Sequence, residues 1–552
     1  MKKLLIALLA SASIQTAPAQ ITDFGDASRI VVQNAGRKKP LHTFASESLQ
    51  TISGRRTLTD HETGKRMEAM EVMVSIWTGA RDWEKVPLVL IADAGLKDEL
   101  KLPRTERLFS FETLVAIPAL GEMQEALMKK RGNKEALTPL ENEAETVISR
   151  AELLSRILKR QSFTVVPDPN SSSGTWVTIP RARQHYDETT VAAISSSFKQ
   201  FSDAYASGNA VEFKAKSASL REQLQGAAGG NYLSTAAINR EVHYNQFHPF
   251  RWAWMLYLIS FFVLLPKRGY RIGLAIFTAG LAMNLYGFVI RTWIAGRAPV
   301  TNMYESVIWV ALGIAAFAFV FELIYKARVY ALSAAPLAVL GLILADMLPS
   351  VLNPSIGPLP PVLRDNFWLV THVLSITLGY SAFGLAMGLA HIILGKYLLK
   401  PNSVDEHSYI HHLLYRTLQI GVLLLAAGTI LGGVWANYSW GRFWGWDPKE
   451  TWALIALLLY IFAIHGKIAG WWGNFGMAVA AAISFNGILM AWYGVNFVLG
   501  KGLHSYGFGG GGVQWVALIV SIDLAFVLVC VIKKLRTPKT PVEISSLIET
   551  NV

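Results

Sequence analysis

From Pro249 onward the chain repeats one pattern: runs of about 20 apolar residues separated by short polar segments. A helix of that length crosses the roughly 30 Å hydrocarbon layer of a bilayer. Inside that layer every backbone N–H and C=O must find a partner within the protein, so such runs are satisfied as helices. Spans are expected near 250–266, 271–293, 304–325, 329–347, 367–397, 415–436, 451–466, 475–496 and 513–532, about nine in all. Composition agrees: 52% of the residues are hydrophobic and 16% charged, against about 25% charged in ordinary soluble domains.

The first half is a different material. Lys2 and Lys3, the short apolar run Leu4 to Ala10 and the small residues Ala17-Pro18-Ala19 have the layout of a cleaved secretory signal. An uncleaved anchor helix is the alternative. Either places the following chain outside the cytoplasm. Residues 20–245 intersperse charges and hold no membrane-length apolar run. Helical spacing of apolar residues over Phe109–Arg131, Pro139–Leu158 and Thr189–Leu224 predicts a mostly helical soluble domain. Pro167–Gly174 and the glycines near Gly226 read as loops, and His42, His61 and His185 as solvated side chains. The expected organisation is a signal peptide over 1–19, a soluble extracytoplasmic domain over 20–245, a membrane domain over 246–536 and a cytoplasmic tail over 537–552. The fold class is mainly α: a polytopic helical membrane domain preceded by a mostly helical soluble one.

The formal charge of +12 follows the membrane and not nucleic acid. With the soluble domain outside, the inner loops hold Lys267, Arg268, Arg271, Lys326, Arg328, Lys396, Lys400, Arg416, Lys467, Lys533, Lys534, Arg536 and Lys539. The outer loops hold fewer cations, among them Arg297, Arg364, Arg442, Lys449 and Lys501. This is the positive-inside pattern. The single cysteine, Cys530, excludes a disulfide framework, a Cys-ligated zinc site and an iron–sulfur cluster built by this chain alone. The Cys-x-x-Cys-His pattern of self-attached c-type haem is also absent.

In that topology the unusual features fall on the outer face. Trp435, Trp440, Trp444, Trp446 and Trp452 lie within 18 residues, with Gly441 and Gly445 between them. Tryptophan favours bilayer interfaces, so an aromatic belt is the bland reading. Glycines among the rings also allow close approach of a broad, flat, apolar ligand with a charged edge. Haem is such a ligand. His372, at the start of the fifth span, and His504, after the eighth, share this face, and neutral imidazole is a common axial ligand of haem iron. His465 sits at the inner end of the seventh span, where an interfacial role and a functional one are both open. Arg442 or Lys449 suits haem propionates. Asp447-Pro448-Lys449-Glu450 has the form of a helix cap with Pro in the first turn. His407, His411 and His412 read as solvated residues of an inner loop, and Gly509–Gly512 as a linker without the Lys-Ser/Thr of a phosphate loop.

The segment WGRFWGWDPKETWALI resembles the tryptophan-rich signature of the haem-handling superfamily that serves cytochrome c assembly. RAPVTNMYESVIW at Arg297–Trp309, HVLSITLGYSAF at His372–Phe383 and VNFVLGKGLHSY at Val495–Tyr506 extend the likeness to the CcsA (ResC) subunit of the system II cytochrome c synthase. It covers about Phe250 to Lys534. The resemblance implies a bacterial inner-membrane protein that binds b-type haem and presents it outside to apocytochrome c, where the thiols of Cys-x-x-Cys-His add to the vinyl groups. It implies His372 and His504 as ligands of the haem iron, His465 at an inner haem site, and Trp440, Arg442, Trp444, Trp446, Asp447 and Trp452 at the haem surface. It also implies a CcsB (ResB) partner in the bilayer, which residues 20–245 do not resemble. The corresponding activity is that of a cytochrome c haem lyase subunit. A haem exporter or carrier without ligation activity would use the same residues. A b-type electron-transfer cytochrome would instead stack histidine pairs across the membrane.

Overall fold

The computed structural model describes residues 21–133, 135, 137–169, 174–348, 351–359, 366–400, 408–499 and 512–537. Residues 1–19, where a signal peptide is expected, residues 538–552 of the expected tail, His407 and His504 lie outside the described residues. The chain divides into two compact units, one up to Val242 and one from His243 onward.

The first unit is helical with three small antiparallel hairpins, Val31–Asn34 with Arg37–Pro40, Thr57–Thr59 with Arg66–Glu68, and Val89–Leu90 with Leu108–Phe109. Their registers pair Val31 with Pro40, Thr57 with Glu68 and Val89 with Phe109. Pro139–Leu158 is a helix, opened by a capping box of Thr138 and Glu141. Thr189–Leu224 is two helices, because Ser207-Gly208 interrupts it with Gly208 at φ +68°. The core is aromatic: Trp77 stacks on Phe163 at 5.1 Å and also meets Phe198 and Phe201. His61 is exposed as expected, whereas His42 and His185 are partly buried and His185 lies 3.6 Å from Asp168.

The second unit carries nine helices long and apolar enough to cross a membrane among the described residues. This is a multi-pass membrane protein. In order, the span helices are Pro249–Leu264, Tyr270–Ala295, Met303–Tyr325, Val329–Met347, Leu374–Leu399, Ser408–Trp440, Pro448–Ile468, Asn474–Leu489 and Val513–Arg536. Two of them join π-helical turns, Leu369–Val373 leading into the fifth and Met490–Leu499 prolonging the eighth. The sixth is longer than its apolar run predicts. It extends back through His411, which is therefore buried (3% exposed) beside the Tyr397 ring and is not a solvated loop residue.

Without a hydrophobic force between helices in lipid, small residues decide how closely they approach. Gly421, Gly428 and Gly432 form one stripe of the sixth span. A Cβ at these positions would strike Phe383, Ile376 and His372 of the fifth span and its leading turn. The fifth span is accordingly the most enclosed of the nine and the ninth the least.

Several charges inside the unit are paired. Arg291 and Glu305, each 1% exposed, meet at 2.7 and 3.0 Å, with Tyr244 Oη 3.3 Å from the guanidinium. Buried Glu322 accepts from Tyr270 Oη and from the backbone N–H of Arg328, Tyr330 and Ala331, at the start of the fourth span. The ninth span is pinned by His391, whose Nε2 lies 2.6 Å from Asp523 Oδ1 and whose Nδ1 donates to the Met387 carbonyl. Neither residue stood out in the sequence, since each is a lone polar residue inside an apolar run.

Two tests follow from these pairings. Leaving His391 or Asp523 without its partner, in His391→Ala or Asp523→Ala, is expected to cost about 3 kcal/mol. A double His391→Leu, Asp523→Leu protein should recover most of it, read as thermal inactivation in micelles. In the first unit, the hydrogen bond from Arg81 holds the Asp60 carboxyl below the usual carboxylate range. A depressed folded value stabilises above the unfolded value and is lost as pH falls through the folded one. Thermal stability should therefore drop below about pH 4, and Arg81→Met should make that drop shallower.

Candidate functional site

A cavity enclosing about 1210 Å³, mouth included, opens among the third, fifth, sixth, seventh and eighth spans. Its wall includes His372, Trp435, Trp440, Trp444, Lys449 and Trp492. The π-helical turns before the fifth span and after the eighth supply His372 and Trp492, and such turns are common at functional sites.

His372 is held from the sixth span. Its Nδ1 lies 2.8 Å from the Gly428 carbonyl oxygen. A carbonyl only accepts, so Nδ1 carries the proton and Nε2 carries the lone pair that a metal can take. The ring is also packed on two sides. Trp435 lies 5.7 Å away between centroids, and a Cβ at Gly432 would stand 2.6 Å from His372 Cε1. Gly428 and Gly432 thus both allow the imidazole to sit against the helix and receive its N–H.

The tryptophan loop is built from the cap of the seventh span outward. Asp447 Oδ1 accepts from Lys449 N at 3.0 Å, and Glu450 Oε2 accepts from Asp447 N at 3.2 Å, closing a capping box. Glu450 Oε2 also accepts from Gly445 N at 2.8 Å, and its Oε1 takes the Arg442 guanidinium at 3.2 Å. Arg442 in turn lies over the Trp440 ring at 5.8 Å. One carboxylate therefore ties three points of the loop. Gly441, at φ +69°, ends the sixth span by a left-handed turn that a side chain would strain. Phe443 packs on Gly433, where a Cβ would lie 2.6 Å from the ring.

The expected residues do not all converge. His372, Trp440 and Trp444 line the cavity. Trp446 points away, with 69% of its surface exposed at φ +57°, and meets Trp444 edge-on at 5.9 Å. Trp452 packs against the membrane core. Arg442 and Asp447 hold the loop and are not on the cavity wall. His465 is exposed in the last turn of the seventh span, its Nδ1 2.9 Å from the Ile461 carbonyl. At 1.5 Å per residue it lies roughly 25 Å along the helix from the cap at Asp447. His504 lies outside the described residues.

Two residues of the wall were open to the sequence, Lys449 as a cation for a carboxylate and Trp435 as part of the tryptophan cluster, and the fold gives each its setting. Lys449 is the cation among the described lining residues, while the Glu450 charge beside it is already spent on Arg442 and two backbone N–H groups. The cavity edge is thereby positive. Trp435 is 8% exposed, and its Nε1 has no hydrogen-bond partner among the described residues. A buried donor without an acceptor is uncommon, and here it sits beside His372. The third-span side is fixed by Glu305, whose Oε2 accepts from Thr301 N at 2.8 Å and Thr301 Oγ1 at 2.7 Å, while Asn302 Oδ1 caps the helix through Glu305 N. The donor set offers one metal-binding imidazole, aromatic faces and a cationic edge. That suits a flat metal-bearing ring with carboxylates on its rim.

The loop's dependence on one carboxylate can be tested by proteolysis. Glu450→Ala removes the capping box and the Arg442 pairing, at about 1–2 kcal/mol for the cap alone. Trypsin should then cut after Arg442 at a rate well above that of the parent protein, with Glu450→Gln intermediate.

Residues 300–504 match the family model described as Cytochrome C assembly protein, a range running from the third-span wall through the tryptophan loop to His504. The cytochrome c biogenesis protein CcsA of Guillardia theta is 34% identical over 242 residues, covering 39% of this chain and 79% of that protein. CcsA of Synechococcus sp. strain CC9902 is 33% identical over 249 residues, 40% of this chain and 81% of that protein. Protein NrfI of Wolinella succinogenes is 27% identical over 514 residues, 86% of this chain but 54% of its own length. That match is too long to be confined to the second unit, so likeness to NrfI extends into the first. The chain spans about half of NrfI and most of each CcsA, and it belongs to the CcsA family of cytochrome c biogenesis proteins.

Proposed function

We propose that the cavity binds haem as a substrate, with its iron on His372 Nε2 and His504, and presents it to apocytochrome c on the outer face of the bacterial inner membrane. The observation that carries the reading is the His372 tautomer: the Gly428 carbonyl holds the proton on Nδ1, leaving Nε2 as the ligating nitrogen beside the tryptophan loop. Lys449 pairs with a propionate, as the cation on the wall. Trp435 Nε1 supplies a second donor for the same carboxylate edge. Trp440 and Trp444 form the apolar platform.

The reaction then asks for positioning and little acid–base work. Each client thiol adds across a vinyl group: sulfur bonds to the carbon next to the ring, and the thiol hydrogen goes to the terminal carbon. The addition is redox-neutral, so this chain needs only to hold the haem and leave its vinyl edge open. We assign this role to a haem lyase subunit acting with a CcsB-like membrane partner. The exposed position of His465 on the seventh span supports the partner: a haem ligated there would need its other axial ligand from a neighbouring polypeptide. A haem carrier without ligation activity remains the second reading, and thioether formation by the purified complex separates the two.

The test is the absorption spectrum of the purified protein. Six-coordinate haem is expected, lost or loosened in a His372→Ala, His504→Ala double variant. Gly432→Val should shift or weaken it by crowding the imidazole, whereas Gly395→Ala, with open space at its Cβ, should not. Lys449→Met should weaken haem retention about tenfold without altering the ligation spectrum. An unchanged spectrum in the double variant would overturn the assignment.

A further inference from the structure

One polar group on the cavity wall cannot be satisfied by haem. Asn496 lines the cavity and its Nδ2 donates to the Trp492 carbonyl at 3.0 Å. Because a carbonyl only accepts, the amide orientation is set, and Oδ1 is the remaining atom. That Oδ1 is buried with no donor among the described residues. Three polar groups of the same wall are committed elsewhere. Trp492 Nε1 donates to Ser306 Oγ at 2.9 Å, Ser306 Oγ donates to the Met303 carbonyl, and Thr429 Oγ1 donates to the Leu425 carbonyl. A buried acceptor lacking a donor is uncommon. On a ligand wall it points to a donor carried by the ligand. Haem propionates accept, and vinyl and methyl groups do neither. A donor carried by a group bound together with haem would satisfy it.

An imidazole on the iron is such a group. When one ring nitrogen ligates a metal, the other exposes an N–H that is almost always donated to a carbonyl or carboxylate. His372 has such a partner in the Gly428 carbonyl. The Asn496 amide oxygen offers the same chemistry from the π-helical turn Met490–Leu499. We infer that Asn496 is a positioning residue whose Oδ1 accepts the N–H of the imidazole ligating haem iron on the face that His372 does not occupy. This rests on the haem-binding reading above and adds the second ligand's orienting partner. The imidazole comes from one of two sources, a histidine of this chain or the histidine of a client's Cys-x-x-Cys-His.

The test uses haem-loaded full-length protein in a His504→Gly background, titrated with free imidazole and followed by its absorption spectrum. Asn496→Leu should raise the imidazole Kd about fivefold to tenfold, the loss of one hydrogen bond, with haem content unchanged. With 1-methylimidazole, which ligates iron but has no N–H, the two proteins should bind alike. Equal imidazole affinity in both proteins, or equal weakening of both probes, would overturn the inference. If Asn496→Leu does not fold, Asn496→Asp keeps an acceptor and should favour imidazole over 1-methylimidazole more than the parent does. No such preference would overturn it as well. With His504 intact, Asn496→Leu distinguishes the sources: loss of six-coordinate haem at rest marks the chain's own ring, and a defect seen only on adding a Cys-x-x-Cys-His peptide marks the client's. An unaffected spectrum in both conditions would count against the role. The haem-binding reading fails differently, by absence of haem from every preparation, and that result would overturn both.

Discussion

The hydrogen bond from His372 to the Gly428 carbonyl is the contact on which the site depends. It exists because the sixth span has no side chain at 428 or 432, so an imidazole from the neighbouring span reaches its backbone. A helix carbonyl has two lone pairs, and one can serve the imidazole while the other serves the helix. In lipid no water would replace that bond if the helices stood farther apart. The same glycine stripe therefore sets helix separation, imidazole orientation and the identity of the ligating nitrogen.

Charge is arranged around this contact with little excess. The Arg291–Glu305 pair is enclosed and fixes the third-span wall through Thr301. His391 with Asp523 attaches the ninth span, whose remaining surface is largely exposed. Pairs of this kind need not stabilise relative to apolar residues of the same shape, but they are costly to break, and so they specify which helices meet. At the tryptophan loop Glu450 is compensated by Arg442 and backbone donors. Lys449 is thereby left to give the cavity its positive edge, which distinguishes it from a simple apolar slot.

The spans were legible because hydrocarbon thickness and backbone satisfaction impose a length that no other architecture shares. Their ends were less so. The sixth span continues through His411 and up to Trp440, beyond its apolar run, because polar residues at helix ends cost little near an interface. The tryptophan cluster was conspicuous by density, yet of its rings only Trp435, Trp440 and Trp444 reach the cavity with His372. Arg442 and Asp447 read as ligand contacts or caps in the sequence, and the fold uses both to hold the loop. Lys449 was legible as a cation for a propionate, on equal terms with Arg442, whereas Asn496 gave no sign that set it apart. Lys449 carries its meaning only beside a neutralised Glu450, and Asn496 only beside a committed Trp492 carbonyl.

The sequence by itself determined the number and type of the membrane helices, the helical character of the first half and the membership of His372 in a tryptophan-rich site. Those properties depend on local composition and on spacing along one helix, which a linear chain records directly. Tertiary structure alone decided which nitrogen of His372 faces the cavity, which tryptophans line it, where its positive charge lies and how the ninth span is attached. Each of those depends on groups brought together from distant segments, such as Gly428 with His372, 56 residues apart, and Asp523 with His391, 132 residues apart. No pattern within one segment specifies which carbonyl or carboxylate a distant imidazole will meet. That is set by how closely the packed helices approach.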